Sequence, residues 1–322
     1  MALVVQMTLL VAYLASIAIR TLVRGRNVIP FEVVQTAAAL VVGLGGAISV
    51  TRATGAGAMM LGIANIVFGL VCYGLAFAFI DRQKHRRRNV YFYTTLALAL
   101  ILVGSDLLLP AAALDLTCAA LAVVACALWS RSGRLFLLLH GAAYLLAAGV
   151  VSGTLGYAMW AFASGRTGVW TPPALGASVV AAAGLVAAWL ASAEPREGPH
   201  PRARWLRLVI VLVAVGAIGG VAVGFLAPVV AGAASGTVDP GVLATLRTVV
   251  LALSALAAAW IGRHDGFREW AWLVYPLLVV TGLKMVAQDF MQSRPATMFV
   301  ALALYGAALI FAPRLRRKPA QG

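Results

Sequence analysis

The sequence predicts an all-α fold: a polytopic transmembrane bundle of about eleven helices, with the N-terminus outside and the C-terminus in the cytoplasm. Three observations carry that prediction. Apolar residues come in runs of roughly 17 to 25, enough for a helix to cross about 30 Å of hydrocarbon. Twenty of the 25 Lys and Arg residues fall in every second gap between those runs. Tryptophans gather at the ends of the runs. Composition agrees: 62% of the 322 residues are hydrophobic and 11% are charged, against about 25% charged in a soluble domain.

The spans fall at roughly 2–19, 33–50, 58–80, 90–108, 114–130, 135–158, 173–193, 208–230, 240–261, 270–288 and 296–313. Residues 1–19 lack a basic leader, so the first helix is expected to be retained rather than cleaved. Arg20, Arg24 and Arg26 follow the first span, and Arg82, Lys84, Arg86, Arg87 and Arg88 follow the third. Arg131 and Arg134 follow the fifth, and Arg196, Arg202, Arg204 and Arg207 follow the seventh. Arg263 and Arg268 follow the ninth, and Arg314, Arg316, Arg317 and Lys318 the last. The opposite gaps hold only Arg52, Arg166 and Arg294. Basic loops resist translocation, which makes the odd-numbered gaps cytoplasmic. Trp129, Trp205, Trp260, Trp270 and Trp272 mark inner ends, with Trp189 a turn deeper; Trp160 and Trp170 mark the outer side. An indole suits the headgroup level because its ring is apolar and its N–H needs a partner.

Loops are short. The Pro-rich stretch Glu194-Pro195-Arg196-Glu197-Gly198-Pro199-His200-Pro201 divides the chain into helices 1–7 (1–193), a cytoplasmic linker (194–207), helices 8–11 (208–313) and a basic tail (314–322). The loop 159–172 is expected in the outer headgroup layer. After the first helix the chain reads as five hairpins. Two of them begin alike, Tyr91-Phe92-Tyr93 and Trp270-Ala271-Trp272, and reach Asp106 and Asp289 near their outer turns. Either duplication or shared interface physics accounts for that.

The net charge is +15. In a soluble protein it would point to nucleic acid, but here it is confined to loops. The partners it predicts are membrane lipids, with anionic headgroups at the cytoplasmic face, and no nucleic acid. Only Lys84, Lys284 and Lys318 are lysines. With the Ala, Gly, Leu and Val content, this suggests a GC-rich bacterial genome and hence the bacterial inner membrane. Cys72, Cys118 and Cys126 lie in apolar runs without metal spacing, and no cofactor or metal is expected. D-x-x-D, H-E-x-x-H, G-x-S-x-G and P-loop signatures are absent, which argues against the enzyme classes that depend on them.

Function is sought among polar residues inside the spans, because they are costly there. Arg247 lies about two turns and Lys284 about one turn from the outer ends of their helices. Asp106, Asp115, Asp239 and Asp289 sit at outer ends. Together they predict an outward-facing polar cavity; alternatively the two cations snorkel outward and the aspartates cap turns. His140, with Tyr144 a turn further on, lies nearer the cytoplasmic side and suits a proton relay or an inter-helix hydrogen bond. A bis-histidine haem is disfavoured, since His85, His200 and His264 are in loops. Gln6 and Asn65 read as inter-helix hydrogen-bonding groups. Gly216, Gly220 and Gly224 form overlapping G-x-x-x-G steps, expected at a central helix or at a homo-oligomer seam.

The last hairpin holds Gly282-Leu283-Lys284, then Asp289, Arg294-Pro295, Gly306 and Pro313-Arg314. In this it resembles large uncharacterised bacterial polytopic membrane proteins with a Lys and an Asp in the penultimate helix. The resemblance implies a bacterial inner-membrane location and points to Lys284 and Asp289. The expected function is transport of a small or lipid-like solute, with Arg247, Lys284 and Asp289 as the polar site. A scaffold or accessory subunit of a membrane complex, or a lipid-modifying enzyme using His140 or the outer carboxylates, are the alternatives.

Overall fold

The structure, a computed structural model, describes residues 2–23, 26–77, 87–163, 173–193, 203–230, 239–264, 266–292 and 294–316. The linker 194–202, the loop residues 164–172, Arg82, Lys84, Arg86, His85 and the tail from Arg317 onward lie outside the described residues, as does the side chain of Gln6. Twelve helices are described. They are α1 (Ala2–Ala18), α2 (Pro30–Thr54), α3 (Ala58–Leu75), α4 (Arg87–Leu108), α5 (Ala111–Ser132) and α6 (Leu135–Val151). Then follow α7 (Thr154–Ala163), α8 (Leu175–Ser192), α9 (Ala203–Val230), α10 (Pro240–Ile261), α11 (Arg268–Lys284) and α12 (Pro295–Arg316). No strand occurs among the described residues. Nine helices there are long and apolar enough to cross a membrane, or ten if α6 and α7 count as one bent span. The chain is a multi-pass integral membrane protein.

One predicted span is not a single rod. Residues 135–158 bend by 66° between α6 and α7. The cause is local: Gly153 takes φ +71°, a left-handed conformation that only glycine adopts without strain. The Ser152 and Thr154 hydroxyls, 2.6 Å apart, bridge the break.

The chain forms two compact units, Met1–Pro110 and Ala111–Gly322. In the first, α3 lies along α4 with glycine against glycine: a Cβ on Gly104 would sit 2.8 Å from the Gly62 carbonyl oxygen. Leu44, Ala47, Leu61, Leu96 and Leu100 fill its core. A π-turn, Ile19–Val23, continues α1. It carries Arg20 to Glu32 at 2.5 Å and Thr21 to the Tyr93 hydroxyl at 2.6 Å. Asn89, fully buried, accepts from the Val28 N–H and donates to the Arg26 carbonyl. Its amide thus satisfies the extended backbone ahead of α2, which has no helical partner of its own.

In the second unit α9 is central, packed against α6, α7, α8, α10 and α11. Gly220 lets it touch α7, since a Cβ there would lie 2.6 Å from the Ala158 Cα; Gly224 faces the Tyr157 hydroxyl and Pro173. Gly216 has open space around it. Two of the three glycines predicted as a seam are therefore used inside the chain.

The alternation of helix direction is visible in the side-chain contacts. The end of α5, the end of α8 and the starts of α9 and α11 meet. Trp129 Nε1 donates to the Ala191 carbonyl, and Trp270 Nε1 to Ser192 Oγ. These two indoles are buried, so they brace the bundle instead of facing the headgroup layer. Trp189, Trp205, Trp260 and Trp272 are exposed, as an interfacial belt requires.

Candidate functional site

Three of the sequence-predicted residues, Arg247, Lys284 and Asp289, converge in the second unit. Lys284 ends α11, and a π-turn, Met285–Asp289, follows it. That turn decides the geometry. On an α-helix, residues five apart are about 140° apart around the axis. The i→i+5 bonding of a π-turn returns the fifth residue to the same face. Asp289 Oδ1 is accordingly 2.6 Å from Lys284 Nζ.

The ammonium has three donors, and all are used. Besides Asp289, Nζ donates to Thr248 Oγ1 at 2.8 Å and to the Ala244 carbonyl, both on α10. Thr248 in turn donates to Asp289 Oδ2 at 2.7 Å. Lys284, Thr248 and Asp289 close a triangle that staples α10 to the π-turn. Next to it Arg247, only 1% exposed, donates from Nε to the Ala161 carbonyl of α7 at 2.6 Å. The Asp289 carboxylate acts electrostatically on both cations. Gln288, on the same π-turn, has a buried Oε1 with no hydrogen-bond partner among the described residues.

The expected outward-facing cavity is thereby corrected to a buried network. The Lys284 side chain is 8% exposed and that of Asp289 is 0% exposed. Neither cation snorkels. Burial offers no water to an ammonium, so it binds every acceptor within reach instead.

The other predicted residues lie elsewhere. Asp106 is in the first unit, in a surface ion pair with Arg52 at 3.3 Å. Asp239 caps α10, accepting from Gly241 N and Val242 N, and meets Arg294 at 3.2 Å. Asp115 is buried and accepts from the Leu116 N–H; the missing side chain of Gly176 makes room for its Oδ2. His140 is buried on α6 between the Phe136 and Tyr144 rings, with Nδ1 2.5 Å from the Phe136 carbonyl oxygen. It sits in the first half of α6, whereas Lys284 is the last residue of α11.

Compared with protein-family models, with curated proteins and with solved structures, the chain matches none. The geometry therefore carries the functional reading.

Sequence reasoning missed Thr248, Gln288 and the two carbonyls. Thr248 was in view, beside Arg247 and four residues after Ala244. The π-turn left no such trace. A second buried ion pair was also missed, because Arg207 read as a loop charge. It reaches Glu269 at 3.4 Å, with both side chains 7% exposed.

Proposed function

We propose that the chain transports a small or lipid-like solute across the bacterial cytoplasmic membrane, with Lys284, Asp289, Thr248 and Arg247 as its polar centre. The observation that carries this is a complete buried ion network on a π-turn. Ionisable groups within membrane helices are costly and mark pathways, and π-turns recur at functional sites. Gln288 supports it by leaving a buried acceptor on the same turn. The likeness of the last hairpin to bacterial membrane proteins, together with the arginine-rich composition, supports the location.

Proteoliposomes on a solid-supported membrane test the transport reading. They are challenged with amino acids, sugars, organic phosphates and inorganic ions. At least one class is expected to give a transient current that Asp289→Asn reduces tenfold or more. No current from any class, with a stoichiometric partner protein co-purifying in mild detergent, would favour the scaffold.

The orientation follows from the arginine asymmetry: odd-numbered gaps cytoplasmic, N-terminus outside. Single cysteines at positions 134 and 314, in a background without the native three, are expected to resist an impermeant maleimide in intact cells. One at position 52 is expected to react. Labelling at 134 would reverse the topology.

A further inference from the structure

The Arg207–Glu269 pair is half-made. Nη1 alone reaches Glu269 Oε1, at 3.4 Å. Arg207 Nε and Nη2 and Glu269 Oε2 are buried and have no hydrogen-bond partner among the described residues. Nε and Nη2 are the two parallel donors along one edge of the guanidinium, the edge that grips two oxygens of a phosphate or carboxylate. On the other partner of the same pair, Glu269 Oε2 is the oxygen left over. Leaving charged groups so is expensive, and the complement is specific. It needs two adjacent acceptor oxygens and a donor of positive charge a few bonds away.

A plain anion does not meet that description. It would fill the fork but face the Glu269 carboxylate. A zwitterion in which phosphate and primary ammonium are linked meets both demands.

The surroundings place the pair at headgroup depth. Trp205 lies two residues before Arg207, and Trp272 three after Glu269. These indoles pack edge to face across α9 and α11, at 6.4 Å, and both are exposed. Exposed indoles mark the interface. On the inner side Trp129 sits under the guanidinium, 5.8 Å from ring centre to Cζ, and Trp270 is held by Ser192. A floor of buried indoles and a rim of exposed ones flank the pair. The Nη1–Oε1 contact is long, at 3.4 Å, and is the weakest link of the pair.

We infer that Arg207 and Glu269 form a binding site for an ethanolamine-type phospholipid headgroup, phosphate on the Arg207 fork and ammonium on Glu269 Oε2. The site lies at the end of the helices opposite to the Lys284–Asp289 network and does not depend on its role.

The test is native mass spectrometry of the purified full chain, titrated with phosphatidylethanolamine and its mono-, di- and trimethylated forms on identical acyl chains. Methylation removes ammonium donors without touching the protein. Binding is expected to weaken stepwise, and the trimethylated lipid to bind about tenfold less tightly, since a charge-assisted hydrogen bond is lost. Arg207→Gln and Glu269→Gln, each checked for retained helicity and a monodisperse profile, are expected to abolish the ladder. Phosphatidylglycerol of the same chains is expected to bind no better than the trimethylated lipid. Equal affinity across the ladder overturns the site, and so does an unchanged ladder in both variants. Displacement of the lipid by water-soluble phosphoethanolamine at equal concentration would overturn the lipid as its source.

Discussion

Replacing Asp289 with Ala is expected to destabilise the protein by about 3–5 kcal/mol, the usual effect of removing one partner of a buried ion pair. The loss comes less from the missing bond than from what remains. Lys284 Nζ would be left buried, with only Thr248 and the Ala244 carbonyl for company. Thr248 would lose its carboxylate acceptor as well. The lower end of the range is the better expectation in a bilayer, where polar groups of unfolded helices also find partners. Lys284→Met combined with Asp289→Leu removes both charges. It is expected to recover most of the loss, because apolar replacements of whole buried pairs are often neutral or stabilising. Unfolding in mixed micelles followed by circular dichroism checks both. A single Asp289→Ala variant within about 0.5 kcal/mol of wild type, the range of an ordinary surface change, would mean that the pair is solvated.

The second large effect is expected at Gly220. A leucine there would place its Cβ 2.6 Å from the Ala158 Cα and from its Cβ. The obstacle is backbone, which cannot rotate away, so α7 and α9 must separate. Overpacking of this kind costs about 1–3 kcal/mol, and the Arg247–Ala161 hydrogen bond to α7 is expected to loosen with it. Gly216→Leu is the internal control. Nothing lies within 4 Å of a Cβ at that position, so its stability is expected to stay within about 0.5 kcal/mol. Size-exclusion chromatography with light scattering adds a readout. A mass that falls to a smaller species with Gly216→Leu would assign that face to a homo-oligomer seam.

Much of this architecture was legible because the bilayer imposes it. Apolar length and the confinement of arginine to alternate gaps both follow from the cost of polar groups in hydrocarbon, and nine described helices, or ten with the bent α6–α7 pair, are long and apolar enough to cross a membrane where eleven spans were expected. The break at Gly153 was hidden, since a lone glycine in an apolar run does not announce a left-handed turn. The site was half legible. Arg247 and Lys284 stood out as charges in apolar runs and Asp289 as an acid at an outer end, but the meeting of Lys284 with Asp289 depends on a π-turn that no periodicity encodes. Read on an α-helix, Lys284 and Asp289 point apart by about 140°, so the depth shared by the charges was legible and their direct pairing was not. Arg207 was lost for the opposite reason. The same arginine count that oriented the chain absorbed it as a loop charge, although α9 begins at Ala203 and carries it inside.

The most direct measurement is solute-driven current from proteoliposomes holding the Lys284→Met/Asp289→Leu protein. A pair kept for transport predicts a folded chain of near wild-type stability that gives no current for the solute moving wild type. Full current from that variant would show that Lys284 and Asp289 only staple α10 to the π-turn, and that the solute passes elsewhere.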